Sequence, residues 1–177
     1  MRPTIGKVYT IPPQPPVEEH THRMPAGNIT IGVEYRTVDP ASLQATYSEN
    51  DAHLAELFER WPGGGFTDEG VSIHVWGTDD DHEYLRFDVF DDEPHYHYNH
   101  RTGPDGDEIV NNVIDFDTIA LGDMLPWVLE CLRTRLAPML AEAGGGHLTD
   151  GLDNARIDEV LRAIEAMAEQ ARDARRP

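Results

Sequence analysis

Apolar and polar residues alternate with period two in VSIHVW (71–76), LRFDVF (85–90), HYHYN (95–99) and EIVNNVIDF (108–116). This is the pattern of strands that turn one face to a core. Turn-forming residues separate the stretches at Thr78 to His82, Asp91 to Pro94 and Gly103 to Asp107. The arrangement predicts an antiparallel meander. Its register is constrained, because a slip of one residue would scatter the apolar set over both faces. The first hairpin sets Ile73 opposite Phe87 and His74 opposite Arg86. A two-residue loop at Asp92 and Glu93 then sets Val89 opposite Tyr96 and Asp88 opposite His97, and the third hairpin sets Tyr96 opposite Ile114 and His95 opposite Asp115.

The three hairpins agree on one partition. One face carries Val71, Ile73, Val75, Leu85, Phe87, Val89, Tyr96, Tyr98 and Ile114, enough apolar area for a core against helices. The other carries His74, Trp76, Tyr84, Arg86, Asp88, Phe90, His95, His97, Asn99, Asn111 and Asp115. Residues 28–39 also alternate, through Ile29, Ile31, Val33 and Tyr35, and as a further strand they add Glu34 and Arg36 to the polar face.

Helical spacing takes over elsewhere. Two short pieces follow Pro40, the second capped by Asn50, with Leu54, Leu57, Phe58 and Trp61 on one side and a stop at Pro62 and the glycines after it. Leu121, Leu125, Val128, Leu132, Leu136, Met139 and Leu140 form a stripe that predicts a long helix over 122–143, kinked or split at Pro138. A last amphipathic helix begins at Asp153, with Ile157, Val160, Leu161 and Ile164 facing its own domain or a second copy. Prolines at positions 3, 12, 13, 15, 16 and 25, with few apolar anchors such as Ile5, make residues 1–27 an extended arm. The expected fold is therefore α+β: a mainly antiparallel sheet of about five strands backed by the long helix. The expected division is an arm over 1–27, the α+β domain over 28–146 and a C-terminal helix over 147–177 that packs or dimerises.

Composition narrows the function classes. A formal charge of −19, from 33 acids against 14 bases, argues against a nucleic-acid backbone or an anionic membrane as partner. No apolar run approaches the ~18 residues of a membrane span, and no hydrophobic signal region follows the first charges, so a cytoplasmic protein is expected. Arginine outnumbers lysine 13 to one, a bias of GC-rich bacterial genomes. The one cysteine, Cys131, excludes an internal disulfide or a thiolate cluster, and its helical apolar surroundings predict a buried residue.

The chemistry lies on the polar face. His95 and His97, at i and i+2 on a strand, project the same way about 7 Å apart, close enough for both imidazoles to reach one metal ion, with Asp115, Asp88 or His74 from neighbouring strands to complete the set. Such ligands suit a divalent metal: iron, zinc, manganese or nickel. Without metal, His74 and Asp88 can run acid–base chemistry beside Arg86, which would hold a substrate anion. Trp76, Tyr84, Phe90 and Asn99 would line the pocket for a small molecule. The competing expectation is a non-catalytic accessory or oligomerisation protein whose histidine face is solvated or covered by a partner. His53, His82 and His147 are expected in solvent. His95 and His97 have the HxH spacing of cupins, but the glutamate that should follow closely is missing, Glu108 being too distant, so no family is identified.

Overall fold

The computed structural model describes residues 6–61, 63 and 65–175. Pro3, Ile5, Pro62 and Gly64, which figured in the expected arm and helix stop, lie outside the described residues. The strands are β1 (Lys7–Tyr9), β2 (His22–Ala26), β3 (Ile29–Val38), β4 (Asp68–Gly77), β5 (Glu83–Phe90), β6 (His95–Thr102) and β7 (Glu108–Asp115). The helices are α1 (Pro40–Thr46), α2 (Asp51–Phe58), α3 (Thr118–Leu121), α4 (Met124–Thr134), α5 (Leu136–Glu142) and α6 (Asn154–Asp173). No described helix is long and apolar enough to cross a membrane.

The protein is α+β, with a seven-stranded sheet in the order β1-β7-β6-β5-β4-β3-β2 and every neighbour antiparallel. Five strands form the expected meander. The two extra strands come from the proline-rich arm, whose ends pair with opposite edges of the sheet. β1 is three residues long and β2 contains Pro25, so neither shows an alternation to read. Proline is tolerated in β2 because that strand is an edge.

Two hairpins have the register the pattern predicts, with Ile73 opposite Phe87 and His95 opposite Asp115. The middle hairpin is shifted by two: Phe87, not Val89, faces Tyr96, and Asp88 faces His95 while Arg86 faces His97. A two-residue loop would need Pro94 to donate a backbone hydrogen bond, and proline has no N–H. The turn is instead held by the Asp68 carboxylate, which accepts the amides of Asp92 (3.0 Å) and Glu93 (2.9 Å). A shift of two preserves the faces, so the partition survives.

One side chain changes face. The β4–β5 ladder pairs Val75 with Leu85 but Trp76 with Glu83, which leaves Tyr84 as the extra residue of a bulge. Tyr84, expected on the polar face, joins the hydrophobic core and donates its hydroxyl to Asp80 (2.7 Å). Glu83, the first residue of β5, is carried onto the polar face in its place, against His74 and Arg86.

The apolar face is covered as its stripe requires. Leu125, Val128, Leu129 and Leu132 of α4, Leu136, Met139 and Leu140 of α5, and Ile157, Val160, Leu161 and Ile164 of α6 share one core with the sheet, and Cys131 is buried among them. The expected long helix is two helices that meet at Arg135 (φ −128°). Pro138 explains the break: its ring clashes with the carbonyl four residues earlier, that of Thr134, the last residue of α4. The stripe of α6 lies on its own domain.

Candidate metal centre

The polar face is not left to water. The segment after β1 runs across it, and α1 and α2 lie over it. Asp39 caps α1 through a reciprocal pair of bonds with Ser42, and Asn50 Oδ1 accepts the His53 amide at the start of α2. Gln14 ties the arm to α1 by donating to Ser42 O (3.2 Å) and Thr46 Oγ1 (2.8 Å), and Tyr47 donates its hydroxyl to Pro12 O (3.1 Å). Trp61 and Phe66, stacked 3.9 Å apart, close one side. His53, expected in solvent, is buried and meets Tyr9 and Tyr47 edge-on.

Asp88, His95 and His97 converge beneath this cover, with one ligand atom from each lying within 4.8 Å of the others. His97 Nε2 stands 3.1 Å and His95 Nε2 3.3 Å from Asp88 Oδ2. The opposite ring nitrogens are fixed: His97 Nδ1 donates to Asn111 Oδ1 (2.7 Å) and His95 Nδ1 to Glu93 O (2.7 Å). Those bonds set the tautomer and leave each Nε2 for the shared centre, as the outer partners of metal-bound histidines do. The hydroxyl of Ser72, opposite Asp88 in the ladder, donates to Oδ1 and turns Oδ2 toward the imidazoles.

The electrostatics suit ligands. Burial disfavours charge on Asp88, but the hydrogen bond from His95 and the charges of His95 and Arg86 outweigh it and hold its carboxyl well below the usual range. Burial lowers the pKa of His97, which keeps it neutral. Burial also opposes charge on His95, yet there the bond to Asp88 prevails and the pKa rises. An ionised carboxylate and a neutral imidazole are the forms a metal takes up, and at His95 metal would replace a proton.

Asp115, expected as the third ligand, faces His95 across the ladder but sits at the exposed rim, 3.7 Å from Arg60. Its place in the cluster is taken by Asp88, for which the sequence offers both a ligand role and acid–base chemistry. His74 is wholly buried, with Nδ1 on Glu83 and Nε2 on Glu34 (3.2 Å), so neither nitrogen is free for a substrate. Arg86 gives Nε and Nη2 to Glu83 (2.8 and 2.7 Å) and Nη1 to Gln14 O (2.6 Å), which leaves it no fork for an anion. Trp76 stacks on His74 and is capped by the Arg23 guanidinium 4.0 Å away, so it seals this network and does not line the cavity. Phe90 does line the cavity, edge-on to His95. Asn99 lies on the same face farther along β6.

The cavity over the cluster measures ≈ 120 Å³, with mainly apolar walls that include Leu43, Leu57, Trp61 and Phe66. Tyr9 also lines it, and its buried hydroxyl has no hydrogen-bond partner among the described residues. Glu83, Ser72, Tyr9 and the covering helices were not assigned to the site from the sequence. Glu34 and Arg36 do reach the polar face, where they pair at 3.2 Å.

Residues 23–168 match the model of a family described as a domain of unknown function (DUF7700), and the chain belongs to that family. The match spans the three converging side chains and the helices above them, while Tyr9 and Gln14 precede it. Neither a curated protein nor a solved structure matches the chain.

Proposed function

We propose that the protein binds a divalent transition metal through Asp88, His95 and His97 and presents it to a small molecule in the cavity above. One observation carries this reading: two imidazoles, each locked by an acceptor on Nδ1, turn both Nε2 atoms onto one oxygen of an ionised, buried carboxylate. A polar cluster serving stability alone does not need two rings trained on one atom. Two histidines and one carboxylate leave coordination positions open, as ligand-binding and catalytic sites do and closed structural sites do not. The donor set suits iron(II), zinc, manganese or nickel.

The chemistry available is that of a metal with vacant positions: polarising a bound carbonyl or activating a bound water. The walls restrict what enters. A volume of ≈ 120 Å³ favours a molecule of few heavy atoms, and the apolar rings of Trp61, Phe66 and Phe90 favour one with little charge. The unpaired Tyr9 hydroxyl is the one neutral hydrogen-bonding group that this reading assigns to the substrate.

Metal content of protein purified without a histidine tag tests the reading. About one transition metal per chain, absent from a His95→Ala/His97→Ala double variant, supports it. Metal-free protein that takes up no added zinc, with the double variant indistinguishable from it, overturns it.

A further inference from the structure

A second cavity lies between the arm and the sheet, on the far side of Arg86 from the metal centre. Its volume is ≈ 450 Å³, within the range of pockets that hold organic ligands, and it shares Pro13, Tyr47 and Arg86 with the smaller cavity. Asn99 lines it from β6. Asn99 is 2% exposed, and neither its Nδ2 nor its Oδ1 has a hydrogen-bond partner among the described residues. The backbone of Asn99 is accounted for, because its carbonyl accepts His82 Nε2–H at 3.0 Å. His82 is itself buried, not in solvent as a loop position would suggest. What remains is one side-chain amide, with a donor and an acceptor in one plane, in a buried wall. Buried polar groups are almost always paired, so an amide with both ends free calls for a complement.

We propose that this cavity is a second ligand site, for a neutral ring that carries N–H beside C=O, as lactams, cyclic imides and pyrimidinediones do. Such an edge satisfies both ends of the Asn99 amide at once. An anion is disfavoured because the one guanidinium that lines it among the described residues, Arg86, is committed to Glu83 and Gln14. A cation is disfavoured because the one carboxylate that lines it among the described residues, Glu83, is committed to Arg86 and His74. A purely apolar molecule would leave the amide unpaired. Of the remaining lining, Thr46 is bonded to Gln14 and Ser42 and His82 to the Asn99 carbonyl, and the rest is mainly apolar: Ile11, Pro12, Pro13, Pro15, Pro16, Tyr47 and Ile109. They suit the faces of a ring. The roof is the arm itself, tethered through Gln14 and through the bond from the Tyr47 hydroxyl to Pro12.

This site needs no metal, so its test uses metal-stripped protein, and its failure leaves the metal centre untouched. Uracil, glutarimide and 2-pyrrolidinone are the probes, each beside its N-methylated counterpart, with binding followed by saturation-transfer NMR. At least one N–H compound binds, its N-methylated counterpart binds about tenfold or more weakly, and Asn99→Leu weakens the N–H compound by a similar factor. The comparison with N-methyl compounds is made on the wild-type chain and stands even if Asn99→Leu does not fold. Failure of all three N–H compounds to bind, equal binding of the methylated forms, or undiminished binding by a folded Asn99→Leu variant overturns the proposal.

Discussion

Glu83 grips Arg86 through both carboxylate oxygens, Oε1 2.8 Å from Nε and Oε2 2.7 Å from Nη2, in a site where Arg86 is 2% exposed. The pair exists because the bulge at Tyr84 turns Glu83 onto the polar face. Replacing Glu83 by Gln keeps the shape and removes the charge, which leaves a guanidinium buried without its counter-ion. The expected loss is about 3–5 kcal/mol in urea denaturation. A loss below about 1 kcal/mol would show that the fork contributes little.

Gly32 lies against Trp76, and a Cβ there would sit 2.5 Å from Trp76 Cζ3. Trp76 cannot yield easily, held as it is between the His74 ring and the Arg23 guanidinium. Gly32→Ala should therefore cost about 1–3 kcal/mol by overpacking, read as a lowered denaturation midpoint. An unchanged midpoint would mean that the indole is free to move.

Tyr9 makes the opposite prediction. Its buried hydroxyl has no partner among the described residues, so Tyr9→Phe removes a desolvated group and no hydrogen bond. Stability should stay level or rise by up to about 1 kcal/mol. A clear loss would reveal a hydrogen bond that this account lacks.

Burial lowers the pKa values of His53, His82 and His100 below the ordinary 6.5. The unfolded chain therefore takes up protons that the fold resists. The stability present above about pH 6.5 falls as the pH drops through the lowered folded values. His95, raised by Asp88, works the other way, since the stability it adds is full below pH 6.5 and is lost as the pH rises through its folded value. A His82→Gln variant isolates one contribution and should flatten the decline of the denaturation midpoint between pH 7 and 5. An identical slope in variant and wild type would remove His82 from the explanation.

The face partition was legible because strand parity is robust. A register error of two residues in the middle hairpin moved Asp88 from His97 to His95 as direct partner, yet kept all three side chains on one surface. Parity failed at Tyr84 and Glu83, where an extra residue in β5 inverts the alternation and no glycine or proline marks the bulge. The cover was also illegible. Amphipathic spacing shows that α2 buries one side, but not that it packs on the polar face, so His53 was placed in solvent. Short β1 and proline-bearing β2 gave no alternation to read, and so the arm's role as both edges of the sheet was missed.

The central claim is that Asp88, His95 and His97 hold a metal, and anomalous diffraction from crystals grown with excess zinc tests it most directly. Zinc is the suitable probe because nitrogen and oxygen sites bind it more tightly than iron(II) or manganese(II). The account predicts a peak at the zinc edge about 2.0–2.2 Å from His95 Nε2, His97 Nε2 and an Asp88 oxygen. Crystals in which both imidazoles still face Asp88, with no anomalous density between them, would contradict it.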